Sequence, residues 1–200
     1  MPRTSPPKPY HHGDLRRALL DAAIDSITED GSASFSLRDL ARRIGVSHAA
    51  PAHHFGDKTG LLTALAVEGY GLLADAQGDV WNRTHDFLEV GVAYVRFALD
   101  HPAHFEVMYR PELLRADDPD LVAARARSGS FLYGPAGTLV DDDALGAGVA
   151  GWALVHGIVA LWVNGNLPKE LGDDPEQIVR LAGRHLFSAP GSTDALSPPS

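Results

Sequence analysis

The chain has 200 residues, of which 17 are Lys/Arg and 26 Asp/Glu, for a net charge of −9; no cysteine is present, which excludes a disulfide framework and thiolate chemistry. A hydrophobic content of 44% and a charged content of 22% suit one domain, or a small domain joined to a larger one, with a real core. Arg3 and Lys8 are not followed by an apolar stretch, so no secretory leader is expected, and the longest apolar run, residues 149–163, reads as too short to span a bilayer. The expectation is a cytoplasmic protein with no membrane partner. Charge is unevenly placed. Residues 1–60 hold eight Lys/Arg, seven Asp/Glu and five of the ten histidines, while the remaining nine basic and nineteen acidic residues come later. An acidic body with a near-neutral head tolerates a nucleic-acid partner at the head only.

Residues 1–12 are proline-rich and read as a flexible arm. A first helix starts at Gly13 or Asp14, carries Leu15, Ala18, Leu19, Ala22, Ser26 and Ile27 on its inner face, and is closed by Gly31. Phe35 leads into a second helix, in which Leu37, Leu40, Ala41 and Ile44 fall at i, i+3, i+4 and i+7. Ser36 stands at its N-cap with Asp39 three residues on, and Gly45 stands where a left-handed C-terminal cap belongs. Ser47 then offers a second N-cap. Two helices joined by a short Gly-containing turn make either a helix-turn-helix or an ordinary corner in a bundle. The next residues, His48, Ala49, Ala50, Pro51, Ala52, His53 and His54, are small or polar, with no apolar stripe before Phe55. Such a helix has little to bury and can approach base edges, which favours the DNA major groove.

Asp57 caps a long helix whose apolar residues, from Leu61 to Ala76, repeat at helical spacing to about Gln77. It is long enough to serve both head and body, as a lever between them. A helix over residues 86–100 is apolar nearly all round and is expected to be buried on both sides. His101-Pro102 breaks it, a short helix carries Phe105, Met108 and Tyr109, and Asp118-Pro119 opens another to about Tyr133. Residues 141–143 read as a loop in which Asp143 caps a helix over 144–164. On a wheel this helix separates into three stripes: Ala147, Gly151, Leu154, Ile158 and Trp162; Leu145, Trp152, His156, Val159 and Val163; and Gly146, Ala150, Ala153 and Gly157. The third, made of small residues, is expected to meet a helix of a second copy of the chain. Asp174-Pro175-Glu176-Gln177 opens the last helix, and residues 189–200 read as a disordered tail.

The segments Tyr10-His11-His12-Gly13-Asp14-Leu15-Arg16, Ser36-Leu37-Arg38-Asp39-Leu40-Ala41-Arg42-Arg43-Ile44-Gly45-Val46-Ser47 and Ala52-His53-His54-Phe55-Gly56-Asp57-Lys58-Thr59-Gly60-Leu61-Leu62 together resemble the tetracycline-repressor (TetR) family of bacterial regulators. Trp152, His156 and Gly157 resemble the Trp-His-Gly type of C-terminal domain in that family. The resemblance implies an all-α protein: a helix-turn-helix head over residues 13–57, and a helical ligand-binding and dimerisation body over 58–188. It further implies a homodimer paired through the last two long helices, a palindromic double-stranded DNA operator, and repression relieved by a small-molecule effector. Position 52 departs from the pattern, because the family usually carries an aromatic where this chain has Ala52.

Within the head, Ser36, Arg38, His54 and Lys58 are candidates for phosphate contact, with helix N-termini at Ser47 and Asp57 adding backbone N–H groups. Ser47, His48, Ala49 and His53 are candidates for base contact. Arg42 and Arg43 read equally as solvated surface. In the body, Phe105, Met108, Tyr109, Trp152 and His156 are candidate lining for an apolar or aromatic effector, and core packing explains them as well. No P-loop, nucleophile elbow or dinucleotide fingerprint is present, so neither an enzyme nor a cofactor is expected. His101 and His104 lack an obvious third ligand, and no metal is expected. The rival readings are a helical interaction protein that has lost DNA binding and a histidine-based metal enzyme.

Overall fold

A computed structural model describes residues 12–136 and 144–187. Among them are nine α-helices and no strand: α1 His12–Asp30, α2 Leu37–Arg43, α3 Ala50–Phe55, α4 Lys58–Thr84, α5 Phe87–Asp100, α6 Pro102–Met108, α7 Pro119–Ala136, α8 Ala144–Val163 and α9 Pro175–Phe187. The arm, the loop with Asp143 and the tail expected from the sequence lie outside the described residues.

Aspartates start four of the longer helices, Asp86 doing so for α5 by accepting from the Leu88 N–H at 2.8 Å. Asp57 Oδ1 accepts from the Gly60 N–H at 2.7 Å, Asp118 Oδ1 from the Asp120 and Leu121 N–H groups at 3.1 Å, and Asp174 Oδ1 from Glu176 and Gln177 at 2.9 and 3.2 Å. Each satisfies amides that have no partner inside the helix. Two helices outrun their expected ends. α4 continues past Gly78 to Thr84, and Gly78 is a site of close approach: a Cβ there would stand 2.9 Å from the Phe131 ring. α7 continues through Gly134-Pro135 to Ala136, since a proline in the last turn gives up a single intrahelical bond.

The described residues divide into two compact units, one of those up to Gly71 with His101–Arg125, the other of Leu72–Asp100 with those described from Ala126 onward. In the first unit, Leu19, Leu20 and Ile27 of α1, Leu40 and Ala41 of α2, Phe55 of α3 and Leu61, Leu62 and Leu65 of α4 are buried. Gly69 lets α4 and α6 approach, since a Cβ would meet Met108 Sδ at 2.6 Å, and Tyr70 Oη donates to the Met108 carbonyl at 2.9 Å.

In the second unit α5 packs against both α8 and α9. It is buried on most sides, as its all-round apolar pattern predicts. α8 departs from the expected stripes. Its buried line is Gly148, Gly151, Val155, Ile158 and Val159, with Gly148 against the Tyr133 ring, where a Cβ would stand at 2.8 Å. The wheel alone could not tell which of several apolar faces turns inward, because nearly every residue of α8 is apolar. Of the small-residue stripe, Gly146, Ala150 and Gly157 are half-buried and Ala153 is exposed, and a Cβ on Gly157 would meet nothing within 4 Å. α8 is also longer than the apolar run that looked too short for a bilayer. Its 20 residues have a mean hydropathy of 1.8 and suffice by length and composition to cross one, because Gly146, Ala147 and Gly148 extend the run. It leaves Leu145, Val149, Trp152, Leu161 and Val163 exposed.

Candidate DNA-reading surface and effector cavity

The helix-turn-helix is set by local hydrogen bonds. Ser36 Oγ accepts from the Asp39 N–H at 3.2 Å and donates to Asp39 Oδ2 at 2.6 Å, and this bond is the main reason the Asp39 carboxyl is held below its ordinary range. At the other end of α2, Gly45 has φ +70°, its N–H reaches the Arg42 carbonyl at 3.3 Å, and the Val46 N–H reaches the Ala41 carbonyl at 2.9 Å. This double bond pattern closes the helix and turns the chain sharply. α3 starts later than the sequence suggests. Ser47 contributes its carbonyl to the Ala50 N–H at 3.0 Å, Ala49 occupies the N-cap without a side-chain bond, and Pro51 falls in the first turn.

Pro51 and Phe55 are buried, whereas Ser47, His48, Ala49, Ala52 and His53 are exposed and His54 is half-buried. The segment after Ser47 therefore presents small side chains and imidazoles outward, with the His53 and His54 rings edge to face at 5.5 Å. Arg38 is exposed, and neither its side chain nor that of His48 forms a hydrogen bond or ion pair among the described residues.

Two candidates for phosphate contact, Ser36 and Lys58, are engaged in bonds inside the protein. The one proton of the Ser36 hydroxyl is already donated to Asp39. Lys58 Nζ donates to the Phe35 and Ala33 carbonyls at 2.8 and 3.1 Å and sits 4.4 Å from the Phe35 ring centroid, and burial lowers its pKa. Lys58 thus ties the start of α4 to the loop before α2. Arg42 pairs with Asp39 at 2.7 Å, and Arg43 makes a fork with Glu29 at 2.8 Å on both nitrogens. Arg115, which carries no signal in sequence, binds Asp57 Oδ1 at 3.0 Å. Beside it, Gly60 has no room for a side chain: a Cβ would lie 2.0 Å from the Phe55 carbonyl oxygen.

The five candidate effector-lining residues fall in different units, Phe105, Met108 and Tyr109 in the first, Trp152 and His156 in the second. Met108 is buried against Gly69, and the Phe105 and Tyr109 rings are 5.0 Å apart. In the second unit, buried Tyr94 Oη lies 2.8 Å from His156 Nδ1 and accepts from Trp152 Nε1 at 3.4 Å. Burial pushes His156 below the ordinary imidazole value. Tyr94 also lines a cavity with Gln77, Phe87, Leu154, Val155 and Val179, which none of the five expected residues lines. Gln77 is the residue missed. It continues the buried face of α4 after Ala66, Tyr70 and Leu73, so the signal was a lone amide on an apolar stripe.

Burial also lowers the pKa of His104, against the pull of Glu68, whose Oε1 is 3.2 Å from His104 Nε2. His101 and His104 meet ring to ring at 5.7 Å, and no group of three or more His, Asp or Glu among the described residues is placed to hold a metal ion.

Residues 19–65 match the model of the N-terminal segment of bacterial regulatory proteins of the tetR family, and residues 87–186, half of the chain, match the tetracyclin repressor-like C-terminal domain. The chain belongs to the TetR family. Over 70 residues it is 43% identical to the HTH-type transcriptional regulator BetI of Klebsiella pneumoniae (strain 342) and 41% identical to BetI of Escherichia coli (strain K12 / DH10B). These matches take in 35% of this chain and 34% of either regulator, so the chain spans about a third of the length of the curated relatives it matches. A protein of unknown function from Rhodococcus sp. RHA1 is 33% identical with a TM-score of 0.77, over 90% of this chain and 97% of that one. The TetR family transcriptional regulator PfmR of Thermus thermophilus shares the fold, with a TM-score of 0.63 at 20% identity over 84% of this chain and 96% of that one. Within this TetR chain the head's helix-turn-helix and the all-helical body are thus both accounted for by family.

Proposed function

We propose that this TetR-family protein is a transcriptional repressor that binds a palindromic DNA operator as a homodimer in the cytoplasm, and is released by a small molecule. The observation that carries the reading is the exposed run after Ser47, held on a turn closed by Gly45. Ser47, His48, Ala49 and His53 read base edges, and Arg38 with His54 binds phosphate. Ser36 and Lys58 hold the turn in shape rather than touch the duplex. The exposed apolar residues of α8, with Leu181 and Leu186 of α9, are covered by the same helices of the second protomer, around the small residues Ala153 and Gly157. Trp152, His156 and Gly157 form the Trp-His-Gly signature of the body. The function needs no metal, cofactor or catalytic residue.

Selection of binding sites from random DNA by the full chain, read with light scattering of the free protein, tests this. A two-fold symmetric site bound by a dimer is the expected result. Absence of any enriched sequence at low salt sinks the DNA-binding reading and favours an interaction protein, and a monomer at micromolar concentration sinks the dimer.

A further inference from the structure

We propose that Arg115, which lies outside the helix-turn-helix in sequence, is a positioning residue for DNA recognition and fixes the tilt at which α3 meets base edges; this rests on the DNA-binding reading above. α3 has six residues, starts after Ala49 without a side-chain cap bond, and buries only Pro51 and Phe55. A helix of this length is not stable by itself, so its direction is set by what holds it from outside. At its C-terminal end the chain turns through Gly56, with φ +79°, into α4. Arg115 lies against that turn. Its Nη2 donates to Asp57 Oδ1 at 3.0 Å and stands 3.5 Å from the Phe55 carbonyl oxygen. The same Asp57 oxygen accepts from the Gly60 N–H, so one carboxylate joins the guanidinium to the start of α4. A cation here also complements the last carbonyls of α3, which have no partner inside the helix. Two glycines leave the guanidinium its space, since a Cβ on Gly56 or Gly60 would stand 3.2 or 3.0 Å from Nη2.

The guanidinium is delivered from a segment already fastened to the head. The Arg115 N–H donates to the buried Thr63 hydroxyl at 3.0 Å, and that hydroxyl donates to the Thr59 carbonyl at 2.8 Å. Further back, Glu106 Oε1 accepts from the Ser32 N–H at 2.9 Å, and Arg110 Nη1 donates to Ser32 Oγ at 3.0 Å. Ser32 is fully buried between α1 and α2. Residues 106–115 thus hold the helix-turn-helix at both ends. Folding stability is not what the Arg115–Asp57 pair supplies: the two side chains are 43% and 64% exposed, and ion pairs so exposed add little to it. The pair instead limits the range of α3. Reading base edges requires one tilt, whereas non-specific attraction to phosphates tolerates many. Without Arg115, α3 holds the reading tilt for only a fraction of the time, and operator affinity falls by that fraction.

The test compares full-length wild type, Arg115→Ala and Arg115→Lys on the selected operator and on a duplex of scrambled sequence, over a range of salt, with thermal unfolding of each protein. Operator affinity of Arg115→Ala is expected to be about fivefold weaker, as for a reading tilt held about a fifth of the time. Its affinity for the scrambled duplex, its salt slope and its Tm are expected to stay at wild-type values. Arg115→Lys should recover most of the operator affinity, because the contact uses one nitrogen and Lys can supply it. A salt slope lower by about 1 in Arg115→Ala overturns the proposal by making Arg115 a phosphate contact. Equal losses on both duplexes with a lowered Tm, or a variant that does not fold, overturn it by making the role structural alone. Unchanged operator affinity in Arg115→Ala, or an Arg115→Lys no better than Arg115→Ala, overturns it as well. All of these leave the DNA-binding reading in place, whereas a wild type that selects no sequence overturns both.

Discussion

Within each of the two units the elements are fastened to one another in a different way. The first is laced with polar side-chain bonds that fasten one element to another: Arg43 to Glu29, Lys58 to the Phe35 carbonyl, Arg115 to Asp57, Arg17 to Glu68 at 2.6 Å, and the Ser32 N–H to Glu106 at 2.9 Å. The second also has ion pairs between helices, Arg180–Glu89, Arg96–Glu176 and Arg127–Asp75, but its long apolar helices come close at Gly78, Gly148 and Gly183, whereas in the first unit Gly69 does this between α4 and α6. A short helix-turn-helix has too little apolar surface to fix its geometry by burial alone, and directional bonds supply what packing cannot. Long apolar helices have surface in excess, and there the question is only how near two backbones can come.

Adding one methyl group to a glycine in each unit gives the sharpest break in this comparison. In Gly60→Ala the new Cβ meets a backbone carbonyl, which cannot step aside, so a loss of at least about 3 kcal/mol and of DNA binding is expected. In Gly183→Ala the obstacle at 2.3 Å is Leu88 Cδ1, the far end of a flexible side chain. Repacking should limit that loss to about 1–3 kcal/mol. Calorimetry on both variants decides it, and equal losses would erase the distinction.

A second contrast lies within the head, between a cation tied inward and one facing outward. Arg38→Ala should lower the slope of log affinity against log salt by about 1. Lys58→Met should leave that slope unchanged and lower the melting temperature, because its ammonium serves two carbonyls. Salt titrations of operator binding by both variants test this; a flattened slope in Lys58→Met would restore it as a phosphate contact.

The smallest effect is a pH dependence present in both units. Burial lowers the pKa of His104 in the first and His156 in the second, so each is neutral when folded at a pH where the unfolded chain begins to protonate. The unfolded state then binds more protons, and stability falls with acidification below about 6.5, through to the lowered folded values. Denaturant titrations between neutral and mildly acid pH should show this decline, reduced in His104→Gln and in His156→Gln. A decline unchanged in both variants would place its origin elsewhere.

Much of the head was legible because its signals are local. Ser36, Asp39 and Gly45 cap α2 within a few residues of sequence, and Pro51 and Phe55 anchor α3 while His48 and Ala52 face outward. What the head's sequence did not show, at Ser36 and Lys58, is the internal partner that each side chain engages, Asp39 for one and the Phe35 and Ala33 carbonyls for the other. Less of the body was legible. Its helices were found from their caps and breakers, but α4 and α7 ran past the glycine and proline that looked like ends.

Sequence by itself determined which segments are helical, where most begin, and that the run after Ser47 has little to bury, since capping and periodicity act over one or two turns. Tertiary structure alone decided which face of α8 turns inward, that Arg115 pins Asp57, and that Gln77 is enclosed with an unanswered oxygen. These depend on residues tens of positions apart, and an apolar helix with several equivalent faces carries no local mark of the neighbour it will meet.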